Sequence, residues 1–335
     1  MKQPPTKIVA TTSLDVAQLR LMTRAALLHH MEGARQVEIA EKLGISQAGV
    51  SRLLRMAEAH GIIRKIVVPP DGLFPELEEQ LLTRFCLSAA YVVDIDPTDP
   101  SLARSLGLAA ARLLANEIAD CDVLGFTSWS STLREMARHM VPVAKSRVKY
   151  VAETLGDLGS PMLQHEADVA TLQMSEALGA GSAFLRVPGV VASPDLRKAV
   201  EQDVHIRTTL NMLNRADRVL VGLGPVDFHG PLAESENFFS RAQLAQLRQA
   251  GAVSQLHQRF IDIKGRPVIT ELDERVIGMT LAQLRNVKQR IVVAGGKQKR
   301  EALIAALAGK WIDVLLTDVD TARYLLGTSS EKELF

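Results

Sequence analysis

The sequence predicts an α/β protein in two parts: a small helical unit over residues 1–70, then a region over 71–335 built on a mostly parallel sheet with helices on both faces. Three observations predict it. Short β-branched runs alternate with helical patterns through most of the 335 residues, the order that builds a covered parallel sheet. Pro69, Pro70 and Gly72 mark a joint ahead of that alternation. The net charge of +1 also divides there. Residues 1–70 hold ten Lys/Arg against five Asp/Glu, and the remainder holds 29 against 33. A basic small end on a mildly acidic body points to an anionic partner for the small end, most simply nucleic acid.

Composition narrows the class. Hydrophobic residues are 47% and charged residues 23% of the chain, a globular profile. Apolar runs such as "RIVVAGG" fall well short of the roughly 18 residues that cross a bilayer, and "MKQPPTKIVATTS" lacks the apolar core of a signal peptide. The two cysteines, Cys86 and Cys121, form neither a disulfide framework nor a zinc spacing. A cytoplasmic compartment is therefore expected, with no membrane partner. His139, His165, His205, His229 and His257 show no ligand spacing, so neither a metal nor a cofactor is expected. His29, His30 and His60 read as surface or bundle residues.

In the first unit, "QLRLMTRAALLHHMEG" places Leu21, Ala25, Leu28 and Met31 on one helix face, with Gly33 as its stop. "QVEIAEKL" is a second short helix carrying Val37, Ile39, Ala40 and Leu43, followed by Gly44, which suits a left-handed turn, and by Ser46 at an N-cap position. In "SQAGVSRLLRMAEAH", Val50, Leu53, Leu54 and Ala57 cluster on one side. Ala48, Arg52, Arg55 and Ala59 fall on the other, with Gln47 and Ser51 on the flank. Small residues let a helix approach the major groove, where Arg pairs with guanine or phosphate and Gln with adenine. "GIIRKIVVPP" then reads as a helix stop and a strand over Ile62–Val68 with Arg64 and Lys65 near its start, as in a wing that touches phosphates. Together these features predict a winged helix-turn-helix that binds double-stranded DNA. Its candidate contacts are Gln36, Ser46, Gln47, Ala48, Ser51, Arg52, Arg55 and Lys65. A generic three-helix bundle with a solvated arginine face is the alternative.

In the larger region, "FPELEEQLLTRFCL" is a helix that bridges the parts or mediates dimerisation. The predicted strands are "AYVVDI", "DVLGFT", "RVKYVAET", "RVLVGLG", "RFIDI", "PVIT", "QRIVVAGG" and "IDVLLTD". The segments between them carry helical patterns, including "SPDLRKAVEQDVHIRTTLNMLNRA" as one helix. Ligands of such sheets sit beyond the carboxyl ends of the strands. After "DVLGF" come Thr127, Ser128, Ser130 and Ser131, ahead of a helix expected near Ser131, where hydroxyls and spare N–H groups make a phosphate seat. "GLGPVD" supplies Gly222 and Gly224, and "AGGKQKREAL" supplies Gly295, Gly296 and Lys299. Asp262, Asp318 and Gln255 are candidates for sugar hydroxyls. Each has a structural alternative: the glycines close turns, Lys299 is a solvated helix lysine, and Trp129 packs in the core. "GGKQK" lacks the spacing of a P-loop.

Several long stretches resemble one family, in the same order: "EIAEKLGISQAGVSRLLRMAEAHGII", "VPGVVASPDLRKAV", "RADRVLVGLGPV", "LRQAGAVSQLHQRFIDIKGRPV", "ELDERVIGMTLAQL", "VVAGGKQKREALIAAL" and "IDVLLTDVDTARYLL". The chain resembles SorC/DeoR-type bacterial transcriptional regulators over nearly all of residues 20–327. The resemblance implies a helix-turn-helix domain and a Rossmann-like effector domain of the NagB/RpiA/CoA-transferase-like type. It also implies a homo-oligomer, commonly a tetramer, on paired operator half-sites, with a phosphorylated sugar or polyol as effector. Carried over by residue, the effector site comprises Ser130, Ser131, Thr132, Gly222, Gly224, Asp262, Gly295, Gly296 and Lys299, alongside Thr127 and Ser128. Lys299 and the 130–132 turn are expected to hold phosphate, and Asp262 a hydroxyl. Three departures fall near that site: "GDLG" puts Asp157 at the expected pocket edge, "GAVSQ" puts Gln255 where an acid is usual, and Ser130 replaces a usual glycine.

The expected function is an effector-controlled regulator of a carbohydrate or polyol operon. A sugar-phosphate isomerase-like enzyme with an appended DNA-binding head is the alternative; fold alone does not exclude it. Such an enzyme needs a placed general base. The chain offers no carboxylate–histidine constellation, so no catalytic residue is assigned.

Overall fold

The computed structural model describes residues 15–64, 70, 72–95, 101–227 and 238–328. It divides into two compact units, Met1–Val68 and Pro69–Phe335.

Three helices make the first unit: α1 (Val16–His30), α2 (Gln36–Leu43) and α3 (Gln47–Ala59). Asp15 caps α1 by accepting a hydrogen bond from the Ala17 N–H at 3.2 Å. α2 stops where Gly44 turns left-handed at φ 65°, a conformation that costs an L side chain about 1–2 kcal/mol. Ser46 then caps α3, its hydroxyl accepting from the Gly49 N–H at 3.1 Å. Met22, Ala25, Leu28, Ile39, Val50, Leu54 and Ala57 form the core. Of the expected α1 face, Ala25 and Leu28 are buried and Leu21 is half-buried, with Met22 and Ala26 added to it, while Met31, at the C-cap, is 80% exposed. On α2 only Ile39 is fully buried, and Val37 is half exposed. Ile62–Arg64 do not form the expected strand. Instead the Ile62 and Ile63 N–H groups bond back to the Ala57 carbonyl at 2.9 and 3.1 Å, and both side chains pack on the core. The rest of the expected wing, Lys65–Val68, lies outside the described residues.

The second unit is built on seven parallel strands: β1 (Ala89–Val93), β2 (Val123–Phe126), β3 (Tyr150–Glu153), β4 (Gly181–Ala183), β5 (Arg218–Leu220), β9 (Gln289–Val293) and β10 (Val314–Asp318). Their order is β1-β10-β9-β5-β2-β3-β4. Alternate residues enter separate cores: Leu124, Phe126, Val314 and Leu316 on one face, Val123, Val219 and Leu315 on the other. The first face is covered by α5 (Leu102–Leu113), α7 (Ser131–His139) and α8 (Pro161–Leu178). The second carries α4 (Pro75–Phe85), α10 (Val204–Leu213), α12 (Leu281–Asn286), α13 (Arg300–Ala308) and α14 (Val319–Leu325). This is the two-sided cover that the apolar strand sequences imply.

A second, antiparallel sheet joins β6 (Leu223–Pro225), β7 (Ser254–Leu256) and β8 (Arg259–Ile261). The expected strand "RVLVGLG" therefore breaks after Leu220, its halves joining different sheets. "PVIT" is no strand; Pro267 makes only an isolated bridge to Ile261. The long predicted helix after Ser193 is two, α9 (Pro194–Val200) and α10. Asp203 interrupts it by capping α10, accepting from the His205 and Ile206 N–H groups at 2.8 and 3.2 Å.

Glu153, at the carboxyl end of β3, is 2% exposed. Its carboxylate accepts from the Thr171 hydroxyl at 2.9 Å, the Leu185 N–H at 2.9 Å and the Ser128 hydroxyl at 3.5 Å. Burial nevertheless pushes its pKa from 4.5 to about 7. The folded state then holds a proton that the unfolded chain has released. Glu153 should therefore withdraw stability as pH rises from about 4.5 through about 7, by up to about 3 kcal/mol, and no further above. Asp157, also raised by burial, acts in the same direction and His257, lowered by burial, in the opposite one, so across pH 5 to 8 urea denaturation should show the wild type losing stability relative to Glu153→Gln. Equal slopes would remove Glu153 as the cause.

Candidate functional site

After β2 the chain proceeds to β3 on one side; after β5 it proceeds to β9 on the other. A crevice therefore opens beyond the carboxyl ends of β2 and β5, the usual ligand position in an open parallel sheet. A cavity of 270 Å³ lies there. Thr127, Trp129, Ser130 and Ser131 enter it from β2 and the start of α7, and Leu155 and Leu158 from the turn after β3. Gly222–Pro225 and Asp227 follow β5; Gln255, His257 and Gln258 come from the β7–β8 hairpin; Gln298 and Lys299 follow β9.

One hydroxyl joins these segments. The Gly222 N–H donates to Thr127 Oγ1 at 3.0 Å. Around the same oxygen lie the Leu220 carbonyl at 2.9 Å, Thr154 Oγ1 at 3.0 Å and His257 Nε2 at 3.0 Å. The turn is tight enough that a Cβ on Gly222 would meet Thr127 Cγ2 at 2.5 Å. His257 and Gln258 are the two loop residues between β7 and β8, at φ 51° and 61°. Positive φ at both central residues defines a type I′ hairpin turn, here without the usual Asn or Gly. Both side chains are buried at the cavity wall. Burial, reinforced by Arg259, lowers the His257 pKa to about 3, so its imidazole is neutral. Its Nδ1, Gln258 Oε1 and Trp129 Nε1 are buried without a hydrogen-bond partner among the described residues.

Charge in the lining is sparse. Asp227 is ion-paired to the Arg248 guanidinium. Lys299 closes a 3-10 turn, Lys297–Lys299, and burial alone lowers its pKa. Among the described residues no carboxylate pairs with it. Ser130 caps α7, its hydroxyl accepting from the Leu133 N–H at 3.4 Å, and Ser131 is the first residue of that helix.

Of the residues expected at the site, Thr127, Ser130, Ser131, Gly222, Gly224, Gln255 and Lys299 line the cavity. Six others do not. Asp262 is turned into its own loop: it accepts from the Lys264 and Arg266 N–H groups at 2.9 and 2.8 Å and binds the Arg266 guanidinium at 2.7 Å. Those donors hold its pKa low and occupy the oxygens meant for a hydroxyl. Ser128 points to Glu153, and Thr132 is buried within α7. Asp157 runs alongside Pro188, its N–H donating to the Val187 carbonyl at 2.6 Å; burial raises its pKa to about 6. Gly295 and Gly296 form a turn closed by Asp318, which accepts from the Gly296 N–H at 2.9 Å and also caps α14. Asp318 is thus a structural cap rather than a sugar-hydroxyl ligand. His257, Gln258 and Gln298 were missed, and Trp129 was set aside as packing. Gln298 adjoins Lys299, a signal available in sequence; the hairpin pair had none.

In the first unit, Ser46, Gln47, Ala48, Arg52, Arg55 and Ala59 are exposed, and Gln36 and Ser51 half-buried. Neither Arg52 nor Arg55 is ion-paired among the described residues. Lys65 lies outside the described residues.

The family model described as "Putative sugar-binding domain" matches residues 73–327. The chain is 30% identical over 314 residues to the deoxyribonucleoside regulator of Bacillus subtilis (strain 168), covering 93% of this chain and 99% of that protein. The chain belongs to the SorC/DeoR-type family of sugar-binding transcriptional regulators. It is 28% identical to the sorbitol operon regulator of Klebsiella pneumoniae, covering 92% and 98%. The crystal structure of full-length SorC from Klebsiella pneumoniae superposes with a TM-score of 0.71 at 25% identity, covering 92% of this chain and 99% of that one. Membership of the SorC/DeoR-type family makes the chain a transcriptional regulator with a sugar-binding domain rather than an enzyme. Among the described residues, no helix is long and apolar enough to cross a membrane, and no His, Cys, Asp and Glu group is arranged to hold a metal.

The close approach at Gly222 yields a test. Gly222→Ala should destabilise the chain by about 1–3 kcal/mol, because Thr127 is held on several sides and the added methyl overpacks the turn. Gly224→Ala should cost less, since its Cβ would meet only the Gln255 side-chain amide at 3.2 Å. Urea midpoints of the two variants measure the difference; equal losses would contradict the role assigned to Thr127.

Proposed function

We propose that this regulator controls a carbohydrate or polyol operon by binding double-stranded operator DNA through residues 1–70 and a phosphorylated sugar or polyol through residues 71–335. In this reading the first unit is a helix-turn-helix head, and α3 enters the major groove with Gln47, Ala48, Ser51, Arg52 and Arg55 leading. Gln36, Ser46 and Lys65 then approach the backbone. The larger unit is of the NagB/RpiA/CoA-transferase-like type, and the assembly is a homo-oligomer, a tetramer on paired half-sites, in the cytoplasm.

The observation that carries the phosphate is Lys299, a half-buried cation at the cavity wall with no carboxylate partner among the described residues. A partly desolvated charge without a counter-charge is costly, and an anion arriving in the cavity offsets that cost. The start of α7, with Ser130 and Ser131, supplies N–H groups and hydroxyls of the kind that seat phosphate. Arg52 and Arg55, exposed and without an ion pair among the described residues, support the DNA-binding half.

A gel-shift assay on the chain's own upstream DNA, with and without a panel of sugar phosphates and polyols, tests both halves. Arg52→Ala and Arg55→Ala should each weaken specific binding by about 1–3 kcal/mol if they read bases. No DNA binding at low salt, where phosphate attraction is strongest, would defeat the reading. Lys299→Gln should weaken a phosphorylated effector about ten-fold or more, since hydrogen bonds to charged groups contribute about 1.5–3 kcal/mol.

Binding should also move a proton. An anion beside Lys299 raises the pKa that desolvation lowers, so phosphate binding should take up a proton around the depressed value and weaken as pH rises past it. Titration calorimetry in buffers of different ionisation enthalpy reads this uptake. It should vanish in Lys299→Gln.

A further inference from the structure

We infer that α1 pairs with α1 of a second copy of this chain, antiparallel about a two-fold axis through Thr23. The pairing concerns the first unit alone and rests on neither the DNA reading nor the effector reading.

α1 carries two stripes. One is the core face of Met22, Ala25, Ala26 and Leu28. The other runs through Val16, Leu19, Thr23, Leu27 and His30. At about 100° per residue, these five fall within about 40° of one line along the helix. A helix on the surface of a single globular unit turns one apolar stripe inward and leaves the opposite side polar. Here Val16 is 64%, Leu19 37% and Leu27 52% exposed. Thr23 does not interrupt the second stripe, because its hydroxyl already donates to the Leu19 carbonyl at 2.8 Å.

The pattern names the partner. Successive stripe residues are spaced 3, 4, 4 and 3 apart, the same from either end. An antiparallel copy in register at Thr23 therefore meets every stripe position: Leu19 faces the partner's Leu27, and Val16 faces the partner's His30. A two-fold contact is the one that asks a surface to complement itself in this way. Shape agrees. The carboxyl half of the stripe borders a groove of 320 Å³ between Ala26, Leu27, Met31, Ile62 and Ile63, with Arg64 beside them. The amino half presents the exposed Val16 and Leu19 instead. The two-fold sets the partner's Val16 and Leu19 against the groove, and does so twice. Charge agrees as well. Asp15, exposed at the N-cap of α1, comes to the end of the partner's helix that holds His30 and the exposed Arg64, and antiparallel helix dipoles add to that attraction.

The test is disulfide trapping in the full-length protein, with the exposed Cys86 removed as Cys86→Ser and the buried Cys121 kept. Helices packed about 8–10 Å apart bring a residue on their two-fold axis within disulfide reach of its own copy. Thr23→Cys should therefore link two chains under mild oxidation. Gln18→Cys, exposed on the far side of α1, should do so about ten-fold more slowly or not at all, because its geometry forbids the contact. Leu19→Lys and Leu27→Glu should each abolish the Thr23→Cys link by placing a charge in an apolar contact. Both positions lie outside the core of the unit, so its fold is kept. Combined in one chain, the two substitutions should restore the link, since position 19 faces position 27 of the partner and the opposite charges then meet. Linking at position 23 that is no faster than at position 18 overturns the inference, as does a link that neither single substitution weakens. Loss without rescue in the combined chain overturns it too, because a stripe covered by another part of the same chain, or by a different protein, behaves in that way.

Discussion

The Thr127 hydroxyl is the contact on which the cavity depends. It takes a hydrogen bond from the Gly222 N–H and lies within 3.0 Å of Leu220, Thr154 and His257. Through it, the ends of β2, β3 and β5 and the β7–β8 hairpin share one point. The parallel sheet sets where the crevice opens; Thr127 sets how its walls meet. An ordinary surface hydroxyl has rotamers to lose and water to bond. This one is 4% exposed, so its neighbours are held to its position, including the glycine whose missing Cβ makes room.

Two ionisable groups near the sheet's carboxyl edge answer burial in opposite ways. Glu153 has hydroxyl and N–H donors and no cation bonded to its oxygens, so burial dominates and a proton neutralises it near neutral pH. Lys299 has no donor–acceptor network of its own among the described residues, and burial lowers its pKa. The first has its solution inside the fold; among the described residues the second has none.

Much of the sheet was legible in the sequence because its strands are buried on both faces, so β1, β2, β9 and β10 read as continuous apolar runs. The small sheet was legible only in part: β8 lies in the expected strand "RFIDI", but β7 is Ser-Gln-Leu, without a β-branched residue, and β6 is cut from the run that contains β5. The cavity was half legible for the same reason. Thr127, Gly222 and Lys299 follow strands directly, so a rule about strand ends finds them. His257 and Gln258 reach the wall through a contact 130 residues away in sequence, which no local pattern encodes. Asp262 was misassigned despite an available signal: "DIKGR" is an acidic residue ahead of a Gly turn, the pattern of a side chain that bonds its own backbone. On α1 the expected face holds at Ala25 and Leu28, but the helix ends at His30, so Met31 escapes the core.

The hairpin turn also bears on how binding is converted into regulation. Two L residues at positive φ cost about 1–2 kcal/mol each, and the buried unpartnered atoms at the same wall add to that. This strain persists only while packing and the Thr127–His257 contact oppose relaxation. A ligand that pairs those atoms stabilises the strained turn, whereas a ligand that leaves them unpaired does not. An effector controls DNA binding only through a difference in its affinity for two states of the protein. Couplings of this kind are typically about 1–3 kcal/mol, the same order as the cost stored in the turn. Among the described residues, the His257–Gln258 hairpin is therefore an element of the cavity wall whose conformational cost matches the size of such a signal.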